Sequence, residues 1–262
     1  MELLGYFGAT LIGISLGFLG GGGSILAVPL LVYLFKIPAT NATLYSLFIV
    51  GMTSFVGFLR ASQKQQVNLK ALAVFAVPSL VGVLFIRRMI LPQLPVVMDF
   101  GLFHLDKNTL IMGAFALVML LASVAMIRPK IATAPNAASD SLGFSMAKAL
   151  GVGTVTGFVG AGGGFLIVPA LVVMNRLPMK IAVGTSLGII AFNSFFGFIS
   201  DAITGVSIDY VFLAKVSALA IGGIIVGLKW GQNTSEGKLK PLFGYFTLII
   251  GALILLAQFA KK

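Results

Sequence analysis

GFLGGGGSILAVPLL, residues 17–31, sets four consecutive glycines and a proline inside a run that is otherwise as apolar as a membrane span. GFVGAGGGFLIVPAL, residues 157–171, repeats the construction 140 positions later, and ten of sixteen positions are identical between 17–32 and 157–172. The same offset pairs Gly13 with Gly153, Gly17 with Gly157, Pro38 with Pro178, Ser46 with Ser186, Ser54 with Ser194 and Gly82 with Gly222. An offset sustained over that distance is the mark of an internal duplication. The chain therefore divides into a first membrane repeat, residues 1–127, a polar linker, residues 128–141, and a second membrane repeat, residues 142–262, which together form one integrated domain.

Of the 262 residues, 58% are hydrophobic and 10% charged, against about 25% charged residues in an ordinary soluble domain. Apolar segments fall at 3–19, 24–35, 40–60, 69–91 and 109–127, and again at 142–159, 165–175, 179–200, 208–230 and 241–260. Most approach the roughly 20 apolar residues that span a bilayer as a helix. The fold expected is all-α and integral to the membrane, with two inverted repeats of about five segments and Gly-rich broken or re-entrant stretches. A barrel would show short alternating strands instead. The net charge of +11 does not point to nucleic acid, because Lys and Arg stand a few at a time at segment ends, where membrane proteins carry them. Without cysteine there is no disulfide, thiolate metal site or cysteine nucleophile. The N-terminus begins with Glu2 and has no basic stretch, so it reads as a retained first span.

An odd number of crossings per repeat turns the second copy upside down. With the loop carrying Arg60, Lys64 and Lys70 inside, eleven basic residues lie inside and seven outside, which favours this orientation. Segments 24–35 and 165–175 are short for full spans. If each Gly-rich stretch turns back on itself, the parity of crossings is unchanged.

Glycine runs hold a helix poorly, and unpaired amides in hydrocarbon cost several kcal/mol each unless protein, water or a ligand satisfies them. Inverted repeats interrupted by Gly and Pro at corresponding positions are the best sequence pointer to a substrate site. A half-helix restarting at Ser24, or later at Pro29, would aim its N–H groups and positive dipole end at that site, which favours an anion. The candidate binding residues are Gly20, Gly21, Gly22, Gly23 and Ser24 in the first half, with Gly160, Gly162, Gly163 and Gly164 in the second. The third segment of each repeat adds Tyr45, Ser46, Ser54, Thr185, Ser186, Asn193 and Ser194. Hydroxyls in membrane helices also serve as interhelical ties or bond back to their own helix. All seven acidic residues lie at segment ends or in loops, and the one histidine, His104, lies in the polar stretch FHLDKN. No catalytic acid/base pair is visible, so no enzyme, metal site or cofactor is expected.

The duplicated glycine runs, the proline nine positions after the first glycine of each run, and AVGTSL at 182–187 resemble the TauE/SafE sulfite-exporter family over essentially the whole chain. The resemblance implies a multi-pass permease of the cell inner membrane for small sulfur-containing anions such as sulfite, sulfonates and thiosulfate, usually moving them outward. An anion channel, or an importer coupled to Na⁺ or protons, would use the same lining. The implied partners are the small anion and the lipid bilayer, with room for a homo-oligomer and a cytosolic sulfur-handling protein. The first half departs from the motif: its counterpart is ATLYSL at 42–47, with Leu44 and Tyr45 where the second half has Gly184 and Thr185. That departure leaves a shifted substrate range open.

Overall fold

A computed structural model describes residues 2–90, 93, 95, 97–99, 104–127, 142–159, 164–203 and 208–259. Its helices follow the ten apolar segments: α1 Glu2–Leu19, α2 Ser24–Tyr33, α3 Ala39–Gln63, α4 Leu69–Phe85, α5 Lys107–Ile127, α6 Leu142–Val159, α7 Gly164–Pro169, α8 Met179–Ala202, α9 Tyr210–Asn233 and α10 Glu236–Phe259. A 3₁₀ turn, Gly20–Gly23, joins α1 to α2, and π turns at Ile86–Ile90 and Ala170–Met174 extend α4 and α7. The linker 128–141 lies outside the described residues. Within the stretch before α5, where a polar loop is expected, the backbone pairs as a short antiparallel hairpin, β1 Val97–Asp99 with β2 His104–Asp106.

The first glycine run turns the chain back. Gly5 of α1 faces the Phe35 ring, Gly8 faces Leu30 and Leu34, and Gly23 lies on the α1 backbone at Ile12–Leu16. α2 thus returns to the end from which α1 entered. Although Leu4–Tyr33 is long and apolar enough for one continuous span, its two arms lie side by side. In the second half the π turn after α7 packs back against α6 in the same manner. Both hairpins leave by one geometry: Ile37 N–H bonds Leu31 O at 3.1 Å, and Leu177 N–H bonds Leu171 O at 3.0 Å. Each bond joins residues six apart, and Lys36 (φ 55°) and Arg176 (φ 54°), just before the donating N–H, take the left-handed conformation. Pro38 and Pro178 then start α3 and α8.

The halves interlace. Gly223 and Gly227 of α9 pack on Thr10 and Ile14, and Gly231 on Phe18, so α1 and α9 run parallel with backbones nearly touching. The counterpart pair behaves alike: Gly153 of α6 meets Ser79 of α4, and Gly157 meets Val83. Small residues permit this close approach between membrane helices. α3 and α8 run antiparallel through the centre, Gly51 against Ser194 and Gly188 against Phe58. α5 and α10 form a second antiparallel pair at Gly251–Met119 and Gly244–Ile127.

Outward faces carry apolar side chains at helical spacing: Phe7 and Leu11 on α1, Val77, Val81 and Phe85 on α4, Leu117 and Leu121 on α5, Ile249 and Leu253 on α10. Such stripes would be a liability in water and suit lipid. At one end of the bundle Arg87 Nη1 pairs with Asp201 at 3.2 Å, and Arg88 Nε donates to Ser200 Oγ at 3.0 Å. This is called the Arg87 end below. The opposite end carries Lys64, Lys180 and Gln232 and is called the Lys180 end.

Adjacent glycines of α9 provide a test. A Cβ on Gly223 collides with the Thr10 carbonyl, whereas one on Gly222 meets nothing within 4 Å. Gly223→Val should lower the melting temperature in detergent by about 5 °C or more through overpacking, and Gly222→Val should leave it unchanged. Equal melting of the two variants would contradict the α1–α9 packing.

Candidate functional site

At the centre the two hairpins meet. A side chain on Gly21 would run into the Gly164 carbonyl, and one on Gly164 would meet Ile190 and lie 3.1 Å from Ser24 Oγ. Gly20 has φ +70°, which starts the turn, and faces Val168, Val183 and Ser186. Gly23 has no room beside α1, while Gly22 faces Phe243 and Leu19. Packing therefore accounts for Gly21 and Gly23, and backbone conformation for Gly20. The run is a tight 3₁₀ turn with all four glycines buried. Ser24 opens α2, with both its N–H and its hydroxyl on Gly21 O, the latter at 2.7 Å. Pro29 sits inside α2, so the helix restarts at Ser24 and not at the proline. Gly160, Gly162 and Gly163 lie outside the described residues.

The polar side chains of α3 and α8 sort into three groups. Some bond back to their own helix: Ser46 to Thr43 O at 2.7 Å, Thr53 to Ile49 O at 2.6 Å, and Ser186 to Val183 O at 2.8 Å. This satisfies a buried hydroxyl without any partner helix.

A second group ties helices together. Asn193 Nδ2 donates to Ser79 Oγ at 3.0 Å, joining α8 to α4, and Ser79 donates to Ala76 O at 3.0 Å. Thr185 Oγ1 accepts the Asn68 N–H at 2.9 Å, and Tyr45 Oη accepts the Asp209 N–H at 2.9 Å. Asn68 and Asp209 are the N-caps of α4 and α9, their side chains accepting from Ala71 and Phe212. So α8 holds the cap of α4, and α3 holds the cap of α9. The exchange of Thr for Tyr at position 45 keeps this tie with a longer side chain, a structural reason for the departure from the motif. Thr185 acts near the Lys180 end and Tyr45 near the Arg87 end. Asn68, Ser79 and Asp209 are absent from the sequence-based site; the cap signal of Asn or Asp before an apolar run points to Asn68 and Asp209, whereas nothing local marks Ser79.

Ser54 and Ser194 form the third group. They stand at matched repeat positions, both fully buried, and neither hydroxyl has a partner among the described residues. Ser194 lies one helical turn beyond Ile190, the residue that Gly164 faces, and its Cβ packs against Gly51 on α3. Buried hydroxyls without partners are uncommon and costly.

A small open cleft of about 20 Å³ lies at the Lys180 end, lined by Gly17, Phe18, Gln66, Lys180, Val183, Leu228, Gly231, Gln232 and Leu239. Its lining residue Val183 is also one that Gly20 faces. Among the described residues no group of three or more His, Cys, Asp or Glu gathers to hold a metal.

The family model of the sulfite exporter TauE/SafE matches residues 6–254. A probable membrane transporter protein of Xylella fastidiosa (strain Temecula1) is 30% identical over 262 residues, 96% of this chain and 94% of that protein. Probable membrane transporter protein YdhB of Bacillus subtilis is 27% identical over 250 residues, covering 94% of this chain and 96% of its own length. A probable membrane transporter protein of Methanocaldococcus jannaschii is 25% identical, with 94% of each chain covered. No solved structure matches.

The cap ties make a prediction. Tyr45→Phe and Thr185→Val each strip a backbone N–H of its acceptor, which should cost about 1 kcal/mol, seen as a lower melting temperature with the transport KM unchanged. A raised KM at unaltered melting would instead return these hydroxyls to the substrate.

Proposed function

Because this chain belongs to the sulfite exporter TauE/SafE family, we propose that it is an inner-membrane permease for small sulfur-containing anions, sulfite, sulfonates and thiosulfate-like species, working as an exporter. Transport across a bilayer by a multi-pass protein is the common ground of the family model, the relatives' names and the six long apolar stretches. The substrate and direction are our reading.

The observation that carries it is the Ser54–Ser194 pair. An anion leaving water needs donors to replace its hydration, and hydroxyls rotate to present one. Two buried hydroxyls at repeat-related positions, unused by the protein, are suited to close on one small oxyanion from α3 and α8. The Gly20–Gly23 turn meets Gly164, which faces Ile190 one helical turn from Ser194, and Ser24 Oγ at the tip retains lone pairs. We read the two halves as inverted repeats, the arrangement in which transporters place substrate between broken helices. The antiparallel run of α3 along α8, and of α5 along α10, supports that reading.

The direction follows from charge. All seven acidic residues stand at segment ends or in loops, while proton-coupled carriers place carboxylates within spans. An inside-negative potential drives an anion outward by about 2.3 kcal/mol per charge per 100 mV, so export needs no coupling ion.

Sulfite flux from proteoliposomes of purified protein, under imposed potentials of either sign, tests the assignment. Saturable flux that follows the potential without an ion gradient is expected. Unsaturable current would make the protein a channel, and a requirement for Na⁺ or protons would make it a coupled importer. The double variant Ser54→Ala, Ser194→Ala should lose about tenfold in flux, in line with the worth of a hydrogen bond to a charged group. Its melting temperature should hold, because each substitution removes an unpartnered hydroxyl. Full flux in the double variant would remove the serines from the site.

A further inference from the structure

Two ammonium groups meet on one neutral residue of the cleft lining, Gln232, one at its side chain and one at its backbone carbonyl. Lys64 Nζ donates to Gln232 Oε1, and Lys180 Nζ donates to Gln232 O at 2.8 Å. Lys180 is half-buried. Among the described side chains the ion pair is Arg87–Asp201, at the other end of the bundle. Capping the C-terminal carbonyls of α9 is an adequate structural task for one Lys180 donor. It does not account for the second lysine, and each ammonium carries three donors. Two cations drawn to the same glutamine repel each other, and an anion between them would lower that energy.

We infer that the cleft is a capture site for the transported oxyanion at the Lys180 end, with Lys64 and Lys180 supplying charge and Gln66 and Gln232 lining it as neutral polar groups. This rests on the anion-permease reading and adds a loading step to it. Gly17, Phe18 and Val183 line the cleft, and Gly20 faces Val183, so an anion held there waits one residue from the glycine turn. A cleft of one charge sign raises the local concentration of an oppositely charged substrate and its on-rate. At the Arg87 end the half-buried arginine is already paired with Asp201.

The test is sided transport of radiolabelled sulfite by wild type and by the Lys64→Gln, Lys180→Gln double variant in proteoliposomes. The chain has no cysteine, so a Ser235→Cys background, with the exposed residue at the Lys180 end, lets an impermeant maleimide report which way each population faces. For substrate offered at the Lys180 end, KM should rise about tenfold in the double variant, with the maximal rate nearly kept. KM from the Arg87 end should not move. Added salt should raise the wild-type KM at the Lys180 end and have little effect on the variant. Lys180→Arg should restore capture, which a loss of fold would not permit. An unchanged KM in the double variant, or a rise that is equal from both ends, overturns the capture site while leaving the permease standing. Wild type that carries no sulfite from either side overturns both.

Discussion

The backbone contact between Gly21 and Gly164 is the constraint around which the molecule is arranged. Two helical hairpins enter the bundle and touch where neither can carry a side chain. Turns of that kind survive at membrane depth only when protein or a water-filled cavity surrounds them. The long, heavily buried helices α3 and α8 provide that sheath, and the parallel pairs α1–α9 and α4–α6 hold the hairpins' outer arms. A bulkier tip would part the hairpins and open the α3–α8 seam with them.

Duplication preserved geometry more strictly than residues. The two hairpin exits share a six-residue hydrogen-bonded closure around Lys36 and Arg176, although lysine and arginine are poor choices for the left-handed region. Tyr45 and Thr185 differ in size and shape, yet each accepts the N–H of a capping residue from the other half. What is retained is the bond across the seam.

The all-helical membrane fold was legible because hydrocarbon imposes long apolar runs, and all ten helices coincide with those runs to within a few residues. The glycine runs marked the centre for the same reason: nothing else explains four glycines in a span. Which helices would pair was not legible, since α1 and α9 are both simply small-residue helices and their partnership depends on the interlaced path of the chain. Nor could sequence tell an engaged hydroxyl from an unengaged one. Ser46 and Ser54 look equivalent as letters; one bonds its own helix and the other bonds nothing among the described residues. The pairing of 97–99 with 104–106 was hidden because loop residues say little about short backbone pairing.

The interlacing also bears on how the chain is made. α1 emerges from the ribosome first, but the glycine face it presents is completed by α9, some two hundred residues later. In lipid that face has little to drive it anywhere until its partner arrives, since membrane helices associate through close packing and not through burial from water. α4 waits for α6 in the same way across the linker. Neither half holds the partner of its own first helix, so this packing is completed only when both halves lie in one bundle.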